Sequence, residues 1–160
     1  MGTHGEGEQG DLFMNRLMLL ALPLLLAGAP AAAKTSPANL KWMDGPPGLP
    51  SGSQIAVVSG DPGKKGDFTV VLKFPANYAV GAHHHPSDEH IKVLSGRLKF
   101  GMGDKADKAK AKWMAKGATG TAKANMNHYV FTDAPTEVQI TAMGPFEIIY
   151  ADPKDDPRKK

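Results

Sequence analysis

A chain of 160 residues has room for one domain and little more, and its 18 glycines and 13 prolines suit short strands joined by tight turns better than a helical bundle. It has no cysteine, which excludes zinc ribbons, thiolate catalysis and disulfide frameworks together, so a metal site here must use nitrogen and oxygen ligands. The net charge of +3 comes from scattered lysines and a basic end, not from a dense basic face with stacking aromatics, which argues against a nucleic-acid partner.

Residues 1–13 are polar and carry Glu6, Glu8 and Asp11, unlike the start of any export signal. They read as an upstream extension ahead of a start at Met14. Residues 14–33 run from Met-Asn-Arg through an apolar stretch, Leu17 to Leu26, to Ala31-Ala32-Ala33. A basic start, an apolar middle and a small-x-small end form a signal peptide, with cleavage expected after Ala33. The apolar stretch is well short of the ~20 residues a stable membrane span requires, and Pro23 and Pro30 interrupt it. The chain is therefore expected to be exported, periplasmic or secreted, with no membrane span once the signal is removed. Without Arg16, Glu6, Glu8 and Asp11 it carries about +5.

The Pro- and Gly-rich residues 34–51 read as a lead-in loop, 52–151 as one β-barrel domain and 152–160 as a polar tail. Nine strand signals bounded by turn residues follow one another: 54–59, 68–74, 79–85, 90–95, 97–101, 119–123, 128–132, 137–142 and 146–150. Asp104–Ala115, rich in Ala and Lys, is the one helical candidate and reads as a short surface helix or turn. This density of short strands predicts an all-β closed barrel or jelly roll with at most one short helix, whose open end would bind ligands.

Four histidines fall between positions 83 and 90: His83, His84, His85 and His90. Strand side chains alternate, so His83 and His85 share one face and His84 takes the other. Glu89 follows the turn Pro86-Ser87-Asp88, where a returning strand can bring its carboxylate back to the same point. His128 opens a later strand. Three imidazoles and a carboxylate suit one divalent transition metal (Mn, Fe, Co, Ni, Cu or Zn) over Ca or Mg, and in an octahedral ion they leave positions for water or substrate.

His83-x-His85, three residues, Glu89, six residues and Gly96 resemble the first motif of the cupin family. Gly117 and His128 stand at the separation of the second, although the family's usual Pro and Gly are Lys123 and Asn125 here. The Gly expected ahead of His83 is Asn77, and the Asn that often follows His128 is Thr132. The similarity covers roughly residues 52–150 and is nearest to exported single-domain cupins of undefined activity, through Gly60-Asp61-Pro62, Gly144-Pro145-Phe146 and Asp155-Asp156-Pro157. It implies an RmlC-like jelly-roll barrel (a double-stranded β-helix), one metal in its mouth held by His83, His85, Glu89 and His128, a small-molecule ligand, and a homodimer.

His84 and His90 are expected at the surface or beside the ligands, Asp88 in a turn, and Arg97 and Lys123 on exposed strands. Met102, Met114, Met126 and Met143 are too scattered for a copper thioether site. A fold licenses a site, not a reaction. The leading expectation is a metalloenzyme, dioxygenase-like or an isomerase or lyase, acting on a small oxygen-rich carboxylate or enediol. The alternative is a non-catalytic module that binds or senses a metal or small ligand. A metal-free isomerase using a histidine base is a third.

Overall fold

The structure, a computed structural model of the protein, describes residues 39–160. The extension 1–13, the signal 14–33 and the first residues of the lead-in lie outside the described residues.

The strands are β1 (Met43–Asp44), β2 (Gln54–Ser59), β3 (Gly66–Phe74), β4 (Ala79–His84), β5 (Glu89–Ser95), β6 (Arg97–Met102), β7 (Lys112–Ala115), β8 (Thr119–Ala122), β9 (His128–Thr132), β10 (Thr136–Gly144) and β11 (Ile149–Tyr150). They form two antiparallel sheets, ordered β1-β2-β3-β10-β5-β8 and β11-β4-β9-β6-β7. From β3 to β6 the chain crosses to the other sheet at each step, and it does so again from β8 to β11. This is the all-β jelly roll expected from the sequence.

The period of two in the sequence accounts for the packing. In β10, Thr136, Val138, Ile140, Ala142 and Gly144 are buried, while Glu137, Gln139 and Thr141 are half-exposed and Met143 is exposed. The strand lies between β3 and β5 and pairs with β3 from Thr136↔Phe74 to Gly144↔Gly66. Its inward side chains meet Phe68, Val70, Leu72 and Phe74 of β3, with Val80 and Leu98 from the other sheet. Full burial of one such side chain contributes roughly 1.5–3 kcal/mol. Gly96, at the hairpin from β5 to β6, has φ of 70°, and a Cβ there would lie 2.5 Å from the Pro135 carbonyl oxygen. Only glycine satisfies both constraints.

Of the short helix or turn expected over Asp104–Ala115, the turn forms and the helix does not. The Asp107 carbonyl accepts from Lys110 N (3.2 Å) and Ala111 N (3.1 Å), and its carboxylate accepts from Ala109 N (2.9 Å). One turn is closed and the chain then enters β7, with Trp113 opposite Lys99 of β6. Trp113 lies beneath Arg97 and Lys99, at 4.2 and 5.2 Å from ring centre to cation. Strand pairing and these cation–π contacts outweigh the helix propensity of the Ala/Lys run.

Two connecting segments take part in the packing. The lead-in supplies β1, pairing Met43 with Ile55, and seats Leu49 in the core. The Tyr78 hydroxyl donates to the Pro50 carbonyl, and the Tyr150 hydroxyl donates to the Gly48 carbonyl at 2.9 Å. The tail forms two 3-10 turns, Pro153–Asp155 and Pro157–Lys159, capped by Asp152 and Asp156. Arg158 is held by Asp156 and donates to the Ile148 carbonyl at 2.8 Å. Among the described residues no α-helix forms, and no helix is long and apolar enough to cross a membrane.

Candidate metal centre

Strand pairing brings the four sequence-predicted ligands together. His83 lies near the end of β4, directly opposite His128 at the start of β9 and Tyr150 of β11. His85 follows β4 by one residue, and Glu89 begins β5 in the other sheet after the Pro86-Ser87-Asp88 turn. All four are buried. One ring nitrogen from each of His83, His85 and His128 lies within 4.8 Å of the others. The carboxylate of Glu89 reaches two of them, with Oε1 3.7 Å from His85 Nε2 and Oε2 3.2 Å from His128 Nε2.

The three rings are oriented by main-chain carbonyls. His83 Nδ1 is 2.7 Å from Gly81 O, His85 Nδ1 is 2.6 Å from Glu147 O, and His128 Nδ1 is 3.1 Å from Met126 O. A carbonyl only accepts, so each Nδ1 carries the hydrogen and each Nε2 is left to present a lone pair in the neutral ring. Aromatic neighbours hold the ring planes: Phe146 stacks on His85 at 4.1 Å between centroids, and Phe100 on His128 at 5.4 Å.

The donor set fits a metal ion. Among the described residues, His85 Nε2 is a fully buried side-chain nitrogen with no hydrogen-bond partner, an arrangement costly for a buried polar atom unless something else occupies its lone pair. A ring whose Nδ1–H is fixed by a carbonyl and whose Nε2 faces a shared point is the usual arrangement of a metal-binding histidine. Electrostatics agree. Burial, with the charges of His128 and His85, lowers the pKa of His83 to about 3, and burial also lowers that of His85. Both rings are thus neutral, the form that binds a cation. Burial pushes the Glu89 carboxyl up, while His128 and the other imidazoles, in so far as they carry a proton, pull it down further, so its pKa lies below the ordinary value.

The other histidines lie outside the cluster, as strand alternation requires. His84 Nδ1 donates to Asn127 Oδ1 (2.8 Å), whose amide nitrogen donates to Asp104. His90 is exposed, with Nδ1 3.0 Å from Thr121 Oγ1. Arg97 makes a two-point contact with Asp133, the shorter at 2.6 Å. Lys123 pairs with Asp88 at 2.7 Å, and Asp88 also accepts from Ala124 N. Neither cation faces the cluster's cavity.

The two departures from expected glycine keep the turn geometry. Asn77 and Asn125 have φ of 59° and 60°, and Asn is among the few side chains that tolerate the left-handed region. Thr132 donates to the Pro75 carbonyl (2.7 Å) and accepts from Tyr78 N (3.1 Å), tying β9 to the turn before β4.

Sequence reasoning missed the carbonyl anchors. Gly81 and Met126 each precede their histidine by two residues, a local pattern readable once the strands are placed. Glu147 is distant in the chain and carries no such signal.

The jelly roll and its buried histidine cluster define a cupin. The family model of the ChrR cupin-like domain matches residues 31–146, and the chain belongs to that family. No curated protein matches the sequence. Among solved structures, the chain is similar to the polyketide cyclase RemF from Streptomyces resistomycificus, at 14% identity and a TM-score of 0.56 over 67% of this chain and 76% of that one. It is similar to the DMSP lyase DddQ from Ruegeria pomeroyi, at 18% identity and 0.55 over 69% and 60%. An RmlC-like cupin from Shewanella frigidimarina gives 12% identity and 0.52 over 71% and 91%. At these identities the likeness is one of fold.

Proposed function

We propose that the protein is an exported metal-binding cupin in which His83, His85, Glu89 and His128 hold one divalent transition metal beside a small-molecule cavity. One observation carries this reading: three buried imidazoles, each pinned through Nδ1 by a main-chain carbonyl, converge beside a carboxylate, and His85 Nε2 has no other partner. The ion would act as a Lewis acid toward oxygen donors of a bound molecule. The chain's own residues keep His83 and His85 neutral by burial and fix the ring planes of His85 and His128 through Phe146 and Phe100. Export rests on the sequence of residues 14–33.

A reaction on a carboxylate or enediol is the leading use of such a site. A second reading, a ligand-binding or sensing module, is favoured by one feature. Tyr150, whose ring centre is 5.7 Å from that of His83, donates its hydroxyl to Gly48 O, and burial pushes its pKa up to about 12. It is poorly suited to remove a proton near neutral pH.

Elemental analysis of protein purified without a polyhistidine tag tests the proposal. One equivalent of a transition metal per chain, removable by chelator and restored on titration, is the expected result. Protein that neither carries nor takes up a metal refutes it.

A further inference from the structure

The barrel interior says what kind of molecule belongs beside the cluster. The cavity that His83, His85, Glu89 and His128 share has a volume of about 790 Å³, within the range of small-molecule sites. Its wall includes Phe68, Val70, Leu72 and Phe74 of β3 and Val138 and Ile140 of β10. Among the described residues that line it, none is Ser, Thr, Asn or Gln. Of the charged groups outside the cluster, Asp156 and Arg158 satisfy each other, and the Arg158 guanidinium also donates to Ile148 O. Glu147 and Lys159 are exposed.

We infer that the site takes an amphiphile: an apolar alkyl or aromatic body carrying a single carboxylate or enolate head. This narrows the oxygen-rich class and rests on the metal reading for the head alone. A sugar acid or polyol would bury several hydroxyls against Phe, Val, Leu and Ile, and each hydroxyl left without a partner weakens binding by about tenfold or more. A second anionic group would find no buried cation in the wall, only the solvent-exposed Lys159 and the guanidinium of Arg158, whose Nε and Nη2 are already bonded. An apolar body gains from the same surface, by about fourfold in affinity per methylene removed from water.

The test is calorimetric titration of acetate, octanoate and gluconate into full-length protein, metal-loaded and metal-free, after metal uptake has been measured by itself. Octanoate should bind the loaded protein at least about a hundredfold more tightly than acetate, six methylenes allowing much more. Gluconate should bind no better than acetate. The octanoate preference should persist, at lower overall affinity, in metal-free protein. Equal affinities for octanoate and acetate, or tighter binding of gluconate, in protein that does take up metal would overturn the amphiphile and leave the metal reading standing. Protein that takes up no metal would overturn the metal reading and, with it, the assignment of the head.

Discussion

His83 and His128 are cross-strand partners between β4 and β9, with ring centroids 4.4 Å apart. Directly paired side chains on one face of an antiparallel pair are held at close range by the backbone ladder itself, so this half of the cluster depends on register. Replacing His128 with Ala should weaken metal binding by more than about a hundredfold, since loss of a mere supporting contact already costs 10–100-fold. Replacing His84, bonded to Asn127 outside the cluster, should change affinity by less than about tenfold on the same scale. Competitive titration against a chromophoric chelator reads both. Equal losses would end the argument from strand alternation.

Acid should destabilise the metal-free protein through its buried rings. His83 has a folded pKa of about 3 against 6.5 in the open chain, so between those values the unfolded state binds more protons. Stability then falls as pH drops below 6.5 and levels off near 3. At about 1.4 kcal/mol per unit, the contribution of His83 reaches up to about 5 kcal/mol, and His85 acts in the same direction. Thermal melts across this range, with and without chelator, measure it. A melting temperature unchanged from pH 7 to 4 in chelator would contradict the burial of neutral imidazoles.

Gly101 faces Tyr129 across β6 and β9. A Cβ at Gly101 would lie 2.3 Å from the ring of Tyr129, which is 1% exposed and has nowhere to retreat. Gly101→Ala should cost about 1–3 kcal/mol by overpacking, read as a lower denaturation midpoint with an unchanged slope. An unaltered midpoint would show that the ring has slack.

Tyr150→Phe should loosen the lead-in without emptying the core, because it removes only the hydroxyl that donates to Gly48 O. Leaving that carbonyl unpaired should cost about 1–2 kcal/mol, and hydrogen exchange around residues 45–50 should accelerate. Unchanged exchange there would mean that Leu49, the Tyr78 hydroxyl on Pro50 O and the Gly45–Ser53 backbone bond hold the segment without it.

Export predicts a cleaved chain. Expressed with residues 14–33 intact in a bacterium, the protein should be recovered outside the cytoplasm with Lys34 as its first residue. Intact-mass measurement decides this, and uncleaved protein in the cytoplasm would remove the basis for export.

The ligands were legible because their signal is local. His83 and His85 are two residues apart, and Glu89 needs only one turn to return. Asn77 and Asn125 were legible as departures from glycine, though not that they would keep the left-handed backbone. What stayed hidden is what depends on distant partners. Asp104–Ala115 has helix-forming composition, yet Trp113 is drawn into a strand by Lys99 and Arg97. The stretch Gly45–Pro50 reads as loose chain, yet Leu49 is buried and two tyrosines from the barrel hold its carbonyls. No pattern within either segment names those partners.

The Nδ1 atoms of His83, His85 and His128 are all steered by peptide oxygens, and a point mutation at Gly81, Met126 or Glu147 leaves a peptide oxygen in place. The choice of tautomer is therefore set by the chain's path, whereas the ring planes also lean on Phe146 and Phe100. The wall of the cavity, by contrast, is made mostly of side chains. Lineages built on this frame can exchange the wall residue by residue, and so change the guest, while the tautomers of the three imidazoles stay as they are.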